Sequence, residues 1–577
     1  LTTPDRRTTS STSTSPLTRG VEVDGDVDVD SIVDLARRPA SLGCAFPRVK
    51  VDVNDGVNVY VAVDVNADRR RRRLGRAGWV LQSLRVVACV ASVAHAETRP
   101  GYGGSVEASL LGAPVTLDPV AAQSHAEITV VGLVFDTLYA IDPTGAAQPH
   151  LALGAPELDA SRTTAHVALR RGVVFHDATV MTAADVAASL ERARIAAGWV
   201  LAPVASVRAS SNGDGVDFVL RTPSADLATL LALPQTAITR RGQPPVGARA
   251  IGSGPFAVDS FDRAGKKLVL RAFDDHFAGR AYLDQLVLDW FDAPDAEARR
   301  FETGAAQLSA RGAAAFAGAT PRYPAAQVES PAAVLVFVGF GKQHAQVTGD
   351  RGFRSALDLA LDRDALATIT SGERTQPTRL PLPTAAGAPA LDAAGRAGDP
   401  ASAQAQLAEA RRRIPALAAG NRGLSLTIVV DQTRADDREI ALRVSRGLDK
   451  LGIGFLIEAV APDQLRDRVA RGACDLWIGQ LAAPISVAAA WWGAAFAAGG
   501  DGWAQARLAV GALDPGDAAR QFAQRLPIVP LMFRSLLVWY RTEVRGLGFD
   551  ASGRPGLADL YWVRTRPARP RPGKASP

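Results

Sequence analysis

The residues best suited to acid–base chemistry are His176 and Asp177, adjacent in the run from Val173 to Val186. A histidine oriented by a carboxylate acts as a general base when a nucleophile lies within hydrogen-bond reach. No G-x-S-x-G elbow and no H-E-x-x-H zinc motif accompanies the pair. Gly252-Ser253-Gly254-Pro255-Phe256 offers two glycines of a phosphate loop, but Pro255 removes a main-chain donor where phosphate needs one, so a turn is expected. Cys44, Cys89 and Cys474 have neither metal spacing nor a disulfide framework, and the seven histidines are spread singly. The expectation is no catalytic residue, no metal and no cofactor.

The elements around His176 explain the pair as scaffold. Gly172 reads as a turn and Val173 to Phe175 as a short strand; Thr182 and Asp185 form a capping pair that opens a helix through Val186, Leu190 and Ala193. Upstream, Ile128 to Tyr139 predicts a helix with Val131, Phe135 and Leu138 on one face, followed by an Asp142-Pro143-Thr144-Gly145 turn. Downstream, Leu424 to Val430 alternates as a strand; a helix from Arg438 to Leu451 and a strand from Gly454 to Val460 complete a β-α-β unit.

At 577 residues with 47% apolar and 21% charged content, the chain is long enough for two large lobes. The net charge of +6 does not point to nucleic acid, because residues 97–577 are nearly balanced and the densest basic run is Arg69 to Arg73 with Arg76. That run precedes a mostly apolar stretch closing on Ala94-His95-Ala96, the pattern of a signal peptide over residues 69–96. Val86-Val87-Ala88-Cys89 leaves a second processing route open, lipidation of Cys89. Residues 1–68 alternate Val with Asp or Asn in places and begin with Leu1, so they are expected to be a low-complexity leader, disordered or not translated. No run approaches ~18 clean apolar residues, the length a spanning helix needs.

Several motifs in order carry a family resemblance. Phe175-His176-Asp177 through Met181-Thr182 to Asp185-Val186 resembles F-H-D-G-x-x-L/M-T-A-x-D-V of the extracytoplasmic solute-binding proteins, family 5, the peptide/nickel-type substrate-binding proteins of ABC transporters. Gly103 to Leu110, Thr116-Leu117-Asp118-Pro119, Gly252 to Phe256, Phe353 to Leu366 and Leu526 to Leu531 are similar to its other segments, over roughly residues 101–565. The family's helix motif implies one continuous helix from Phe353 to Leu366.

The resemblance implies an α/β, two-lobed periplasmic-binding-protein-like fold of the large type, with an extra subdomain inserted in the first lobe. It places lobe I at 97–142 and 236–330, the subdomain at 143–235, lobe II at 331–530, and the return to lobe I with the tail at 531–577. The implied role is capture of a peptide-like or other modest-sized organic solute outside the cytoplasmic membrane. The implied partners are ABC importer permease and ATPase subunits, and a monomer is expected. A sensor or interaction module on the same fold is the alternative, with a secreted hydrolase behind it.

In peptide-binding members a D-x-x-x-x-G-W-x-A-D-Y segment supplies an acidic anchor for the ligand's amino group. Here it resembles Asp475 to Pro484, and the anchoring place falls on Ala483 or Pro484, neither of which has a carboxylate. Loss of that charge-assisted bond, worth ~1.5–3 kcal/mol, argues against binding through a free amino terminus. The candidate ligand contacts are Trp477, Trp491 and Trp492, whose rings could stack on a solute, Gln480 as a donor, and Arg354 opposite a carboxylate.

Overall fold

A computed structural model of the chain describes Val49–Val53, Val59–Val63 and residues 100–563, except 224–225, 246–249, 312–314, 317–318, 370–373, 390, 419–423, 483–486 and 510–512. Residues 1–99 and 100–577 are two compact units. In the first, the alternating Val49–Val53 pairs antiparallel with Val59–Val63. The expected signal segment, Cys44, Cys89, Ala483 and Pro484 lie outside the described residues.

The second unit has two lobes, each built on a mixed sheet. The lobe I sheet runs Phe256–Asp262, Lys267–Ala272, Gln285–Asp289, Ser105–Ser109, Leu308–Ser309, Leu537–Arg541, Ala325–Glu329. The lobe II sheet runs Thr375–Pro377, Ile528–Arg534, Val334–Phe340, Leu476–Ala482, Ser425–Asp431, Gly454–Val460. Val334–Phe340 is apolar at every position but Gly339 and buried at all but the last, the composition of a strand covered on both faces. The strands Ser425–Asp431 and Gly454–Val460 are parallel and joined through helix Ala435–Lys450, so the β-α-β unit forms as its periodicity predicts.

The chain passes between the two sheets near residues 330–333 and again at 535–536. The crossings are stitched together: Ser330 N donates to Leu536 O, and Leu536 N donates to Ser330 Oγ, each at 2.8 Å. The strand ending at Arg534 belongs to the lobe II sheet throughout, so that sheet extends past residue 530. A four-stranded antiparallel sheet, Glu157–Leu158, Thr164–Ala168, Gly215–Leu220 and Val204–Ala209, has its own core around Phe175, Leu190 and Phe218.

Several local expectations shift for identifiable reasons. Helix His125–Val134 starts three residues before Ile128, because Ser124 and Glu127 form a reciprocal capping box, and it ends at Val134 with Phe135 already extended. Tyr139 is therefore strand, paired across the Asp142 turn with Pro149. Val173 to Phe175 makes a single bridge, Val174 to Val180, in place of a strand. The expected Phe353–Leu366 helix breaks into Arg351–Ala360 and Arg363–Ala367, with Asp362 accepting from Ala365 N at 2.9 Å as a new cap.

The scaffold reading of His176 has a geometry. Its Nε2 donates to Gly254 O at 3.0 Å, while Nδ1 accepts from Gly252 N at 3.3 Å. Both ring nitrogens are thus spent on the glycine turn. A Cβ on Gly252 would lie 2.0 Å from Val134 O, so only glycine lets this turn pass against the helix end.

Candidate functional site

Between the lobes lies a cleft of about 230 Å³. Residues 113–127 of lobe I line one side and residues 431–480 of lobe II the other. Its central side chain is Glu127, fully buried. One carboxylate oxygen accepts from Val115 N at 3.1 Å and Thr116 N at 3.2 Å, the other from Gln123 N and Ser124 N, both at 3.0 Å. Four main-chain donors, two of them at the helix N-terminus and two in the preceding loop, hold this side chain in place.

Arg466, on helix Pro462–Arg471, reaches across from lobe II and pairs with Glu127 Oε1. A second crossing centres on Thr433, whose Oγ1 accepts from Ala113 N at 3.2 Å and whose carbonyl accepts from Arg311 Nη2 at 2.6 Å. Both contacts join the lobes from outside the crossover strands, so they can break when the cleft opens.

Along lobe II, Arg434 Nε lies 3.1 Å from Asp431 Oδ2 and 3.1 Å from Asp437 Oδ2. Gln480 Nε2 donates to Asp437 Oδ1 at 3.4 Å. Burial pushes the Asp437 carboxyl up to about 7; Arg434 opposes the rise, and Asp431 and Asp436 add to it. The folded state therefore holds this proton more tightly than the unfolded chain does. The stabilisation it gives is complete below about pH 4 and is lost as pH rises toward 7. Relative to wild type, Asp437→Asn is expected to gain on the order of 3 kcal/mol between pH 4.5 and 7.5. Urea unfolding of both proteins across that range checks it, and a pH-independent difference would refute it.

Trp477 sits on this cleft because two glycines make room for its ring. Gly339 faces it across the strand pair and Gly479 is two residues on; a Cβ at either would lie 2.2 to 2.4 Å from the indole. The ring meets Phe337 edge-on at 5.0 Å. The structure brings Trp477 and Gln480 to the cleft lining together.

It takes the other three candidates elsewhere. Trp491 and Trp492, on helix Ala488–Ala498, are 0% and 2% exposed in the lobe II core, against Phe533 at 5.2 Å and Phe522 at 5.6 Å. Burial inside one lobe leaves no face for a solute, so the ligand-stacking expectation for these two is corrected to core packing. Arg354 donates to Thr348 O at 2.6 Å and Leu526 O at 3.2 Å and lies 4.5 Å over the Phe340 ring. Its guanidinium fastens lobe II loops and does not line the cleft, and burial lowers its pKa to about 10.

The residues missed from the sequence are Glu127, Thr433, Arg434 and Arg466. Ser124-x-x-Glu127 is a readable capping signature, and Asp431, Arg434 and Asp437 stand at spacings of three, but neither signal says which lobe faces them.

The sequence profile of the bacterial extracellular solute-binding proteins, family 5 Middle, matches residues 146–502. Protein XP55 of Streptomyces lividans is 29% identical over 264 residues, 43% of this chain and 47% of the relative. The chain spans about half the length of the curated relatives it matches. Among solved structures, the oligopeptide-binding protein AppA of Bacillus subtilis with a nonapeptide aligns at a TM-score of 0.66 and 18% identity, over 81% of this chain and 100% of AppA. AgaA of A. tumefaciens R10 with agropinic acid aligns at 0.64 and 19%, over 80% of this chain and 99% of AgaA. These likenesses establish the shared two-lobed fold.

Proposed function

The chain belongs to the bacterial extracellular solute-binding proteins of family 5, and on that basis we propose that it is the substrate-binding component of an ABC importer, capturing a modest-sized organic solute outside the cytoplasmic membrane. The observation that carries the reading is the Arg466–Glu127 pair, which joins the two lobes across a cleft. Contacts of this kind hold a closed form that a permease can distinguish from an open one. Trp477 offers the solute an apolar face, and Gln480 a polar one. AppA was solved with a nonapeptide and AgaA with agropinic acid. With Ala483 and Pro484 at the amino-anchoring place, the reading favours a solute not held by a free α-amino group. Among the described residues no helix is long and apolar enough to cross a membrane, so the importer's permease and ATPase subunits would supply the transport path.

Native mass spectrometry of the protein purified gently from its host tests the assignment. A discrete small-molecule adduct, lost on unfolding and weakened at least tenfold by Trp477→Ala, is expected. A spectrum free of adducts and unmoved by a broad panel of peptides, opines and sugars would instead favour a sensor or interaction module.

A further inference from the structure

Apart from the interlobe cleft, a cavity of about 450 Å³ opens among lobe I segments and the residues leading into the four-stranded sheet. Three side chains far apart in sequence meet on its wall: Asp136, His150 and His276. Asp136 lies just beyond the end of helix His125–Val134, His150 just after the strand Ala147–Pro149, and His276 in the loop after Lys267–Ala272. No spacing rule in the sequence links them, and the histidines read there as scattered.

The polarity of the cluster is unusual. Asp136 is 4% exposed; its Oδ2 accepts from Ser253 Oγ at 2.8 Å, and its Oδ1 lies 2.9 Å from His150 Nε2. The His276 side chain is 7% exposed, and its Nδ1 lies 3.0 Å from Gly279 O. A carbonyl can only accept, so Nδ1 bears the proton and, in the neutral ring, Nε2 presents a lone pair. That lone pair points toward the Asp136 carboxylate, 3.7 Å away, and Nε2 has no hydrogen-bond partner. In that neutral form two electron-rich atoms face each other in a buried place, which is costly unless a cation, either a metal ion or a second ring proton, lies between them. Thr129 Oγ1, on the wall of the same cavity, is also buried without a partner.

The geometry points to a binding site for a divalent transition metal ion, held by Asp136 Oδ1, His150 Nε2 and His276 Nε2, with its remaining coordination position open to the cavity. The three ligand atoms lie within 4.8 Å of one another. A tetrahedral ion with bonds of ~2.0–2.1 Å needs its ligands ~3.3 Å apart, within reach of small side-chain rotations. The supporting contacts have the form such sites use: a histidine N–H on a main-chain carbonyl and a hydroxyl on the free carboxylate oxygen. Two imidazoles and one carboxylate suit Zn²⁺, Co²⁺ or Ni²⁺ better than Ca²⁺ or Mg²⁺. On binding, the His150 proton now directed at Asp136 leaves Nε2, either to Nδ1 or to solvent. The ion would clasp a helix end, a hairpin and a loop at the junction of lobe I with the four-stranded sheet.

The test is Zn²⁺ and Co²⁺ titration of the full chain after chelator treatment and dialysis. One equivalent of Zn²⁺ per chain is expected, with a rise in thermal midpoint, and Co²⁺ should give a visible d–d band. His276→Gln and His150→Gln should each weaken Zn²⁺ by ~100-fold or more, while His166→Gln, on the four-stranded sheet, should bind like wild type. Failure of wild type to bind Zn²⁺ at ~100 μM, or an absent Co²⁺ band, overturns the site whatever the variants do, and leaves a proton as the balancing cation. Binding that survives both variants also overturns it. Circular dichroism separates lost binding from lost folding, and the wild-type Co²⁺ spectrum decides if either variant fails to fold.

Discussion

Glu127→Ala is expected to lower the unfolding free energy by ~3–5 kcal/mol and to remove one of the two contacts that join the lobes across the cleft. The carboxylate is fully buried and accepts from four main-chain N–H groups in addition to Arg466. Alanine leaves those donors facing a small void, and the helix loses half of its capping box. Glutamine does not rescue it, because an amide NH₂ must then face donors. Arg466→Ala separates the two roles. Arg466 is about a third exposed, so its pair with Glu127 is partly screened and its removal costs ~1 kcal/mol or less. That variant keeps the lobe I helix start and loses the cross-lobe contact, so it should close more weakly on a solute while unfolding nearly as wild type does. Urea unfolding of both single variants and the double variant measures the difference, together with small-angle scattering for lobe separation. A loss below 1 kcal/mol for Glu127→Ala would show that the helix start does not depend on this carboxylate.

Asp475→Ala is expected to cost ~3–4 kcal/mol. Its side chain is 0% exposed and accepts at 2.9 Å from His344 N, from His344 Nδ1 and from Thr427 N. One carboxylate therefore pins the start of strand Leu476–Ala482 to the neighbouring Ser425–Asp431 and to the loop after Val334–Phe340. Packing leaves no slack, since a Cβ on Gly341 would lie 2.0 Å from Cys474 O. Trp477 is two residues along this strand, so the same change should loosen its ring against Phe337. Equilibrium unfolding checks the magnitude, and hydrogen exchange at Thr427 and His344 checks the mechanism: protection that stays at wild-type levels would mean other contacts hold the strand.

Features that depend on neighbours three or four residues away are legible in the amino-acid sequence alone. Thr182 with Asp185 caps its helix as their spacing predicts, and the Asp142 turn forms with the carboxylate accepting from Thr144 N at 2.8 Å and Ala146 N at 3.0 Å. Strand Gly454–Val460 has the bounds expected of the strand that completes the β-α-β unit. The order of motifs along the chain is enough to indicate the family and, with it, two α/β lobes. Two boundaries that differ from their expectation have a stronger local signal beside them: the Ser124 cap moves one helix start, and the Asp362 cap splits another helix.

The tryptophans mark the boundary of that legibility. Trp477 and the Trp491–Trp492 pair are equally apolar and aromatic in the sequence, yet one lines the cleft and the other two fill a core. Periodicity says which side of an element is apolar, but not whether that side meets another helix or a solute. The same holds for charge. Glu127 and Arg466 are 339 residues apart, and nothing in either neighbourhood announces the other. Asp136, His150 and His276 converge in the same way, from a helix end, a hairpin and a loop. Turns, caps and strand periods follow from the chain's own short-range geometry, so this sequence specified them directly. The lobe contacts and the histidine cluster arise when sheets assembled from distant segments dock, a step governed by packing over the whole fold.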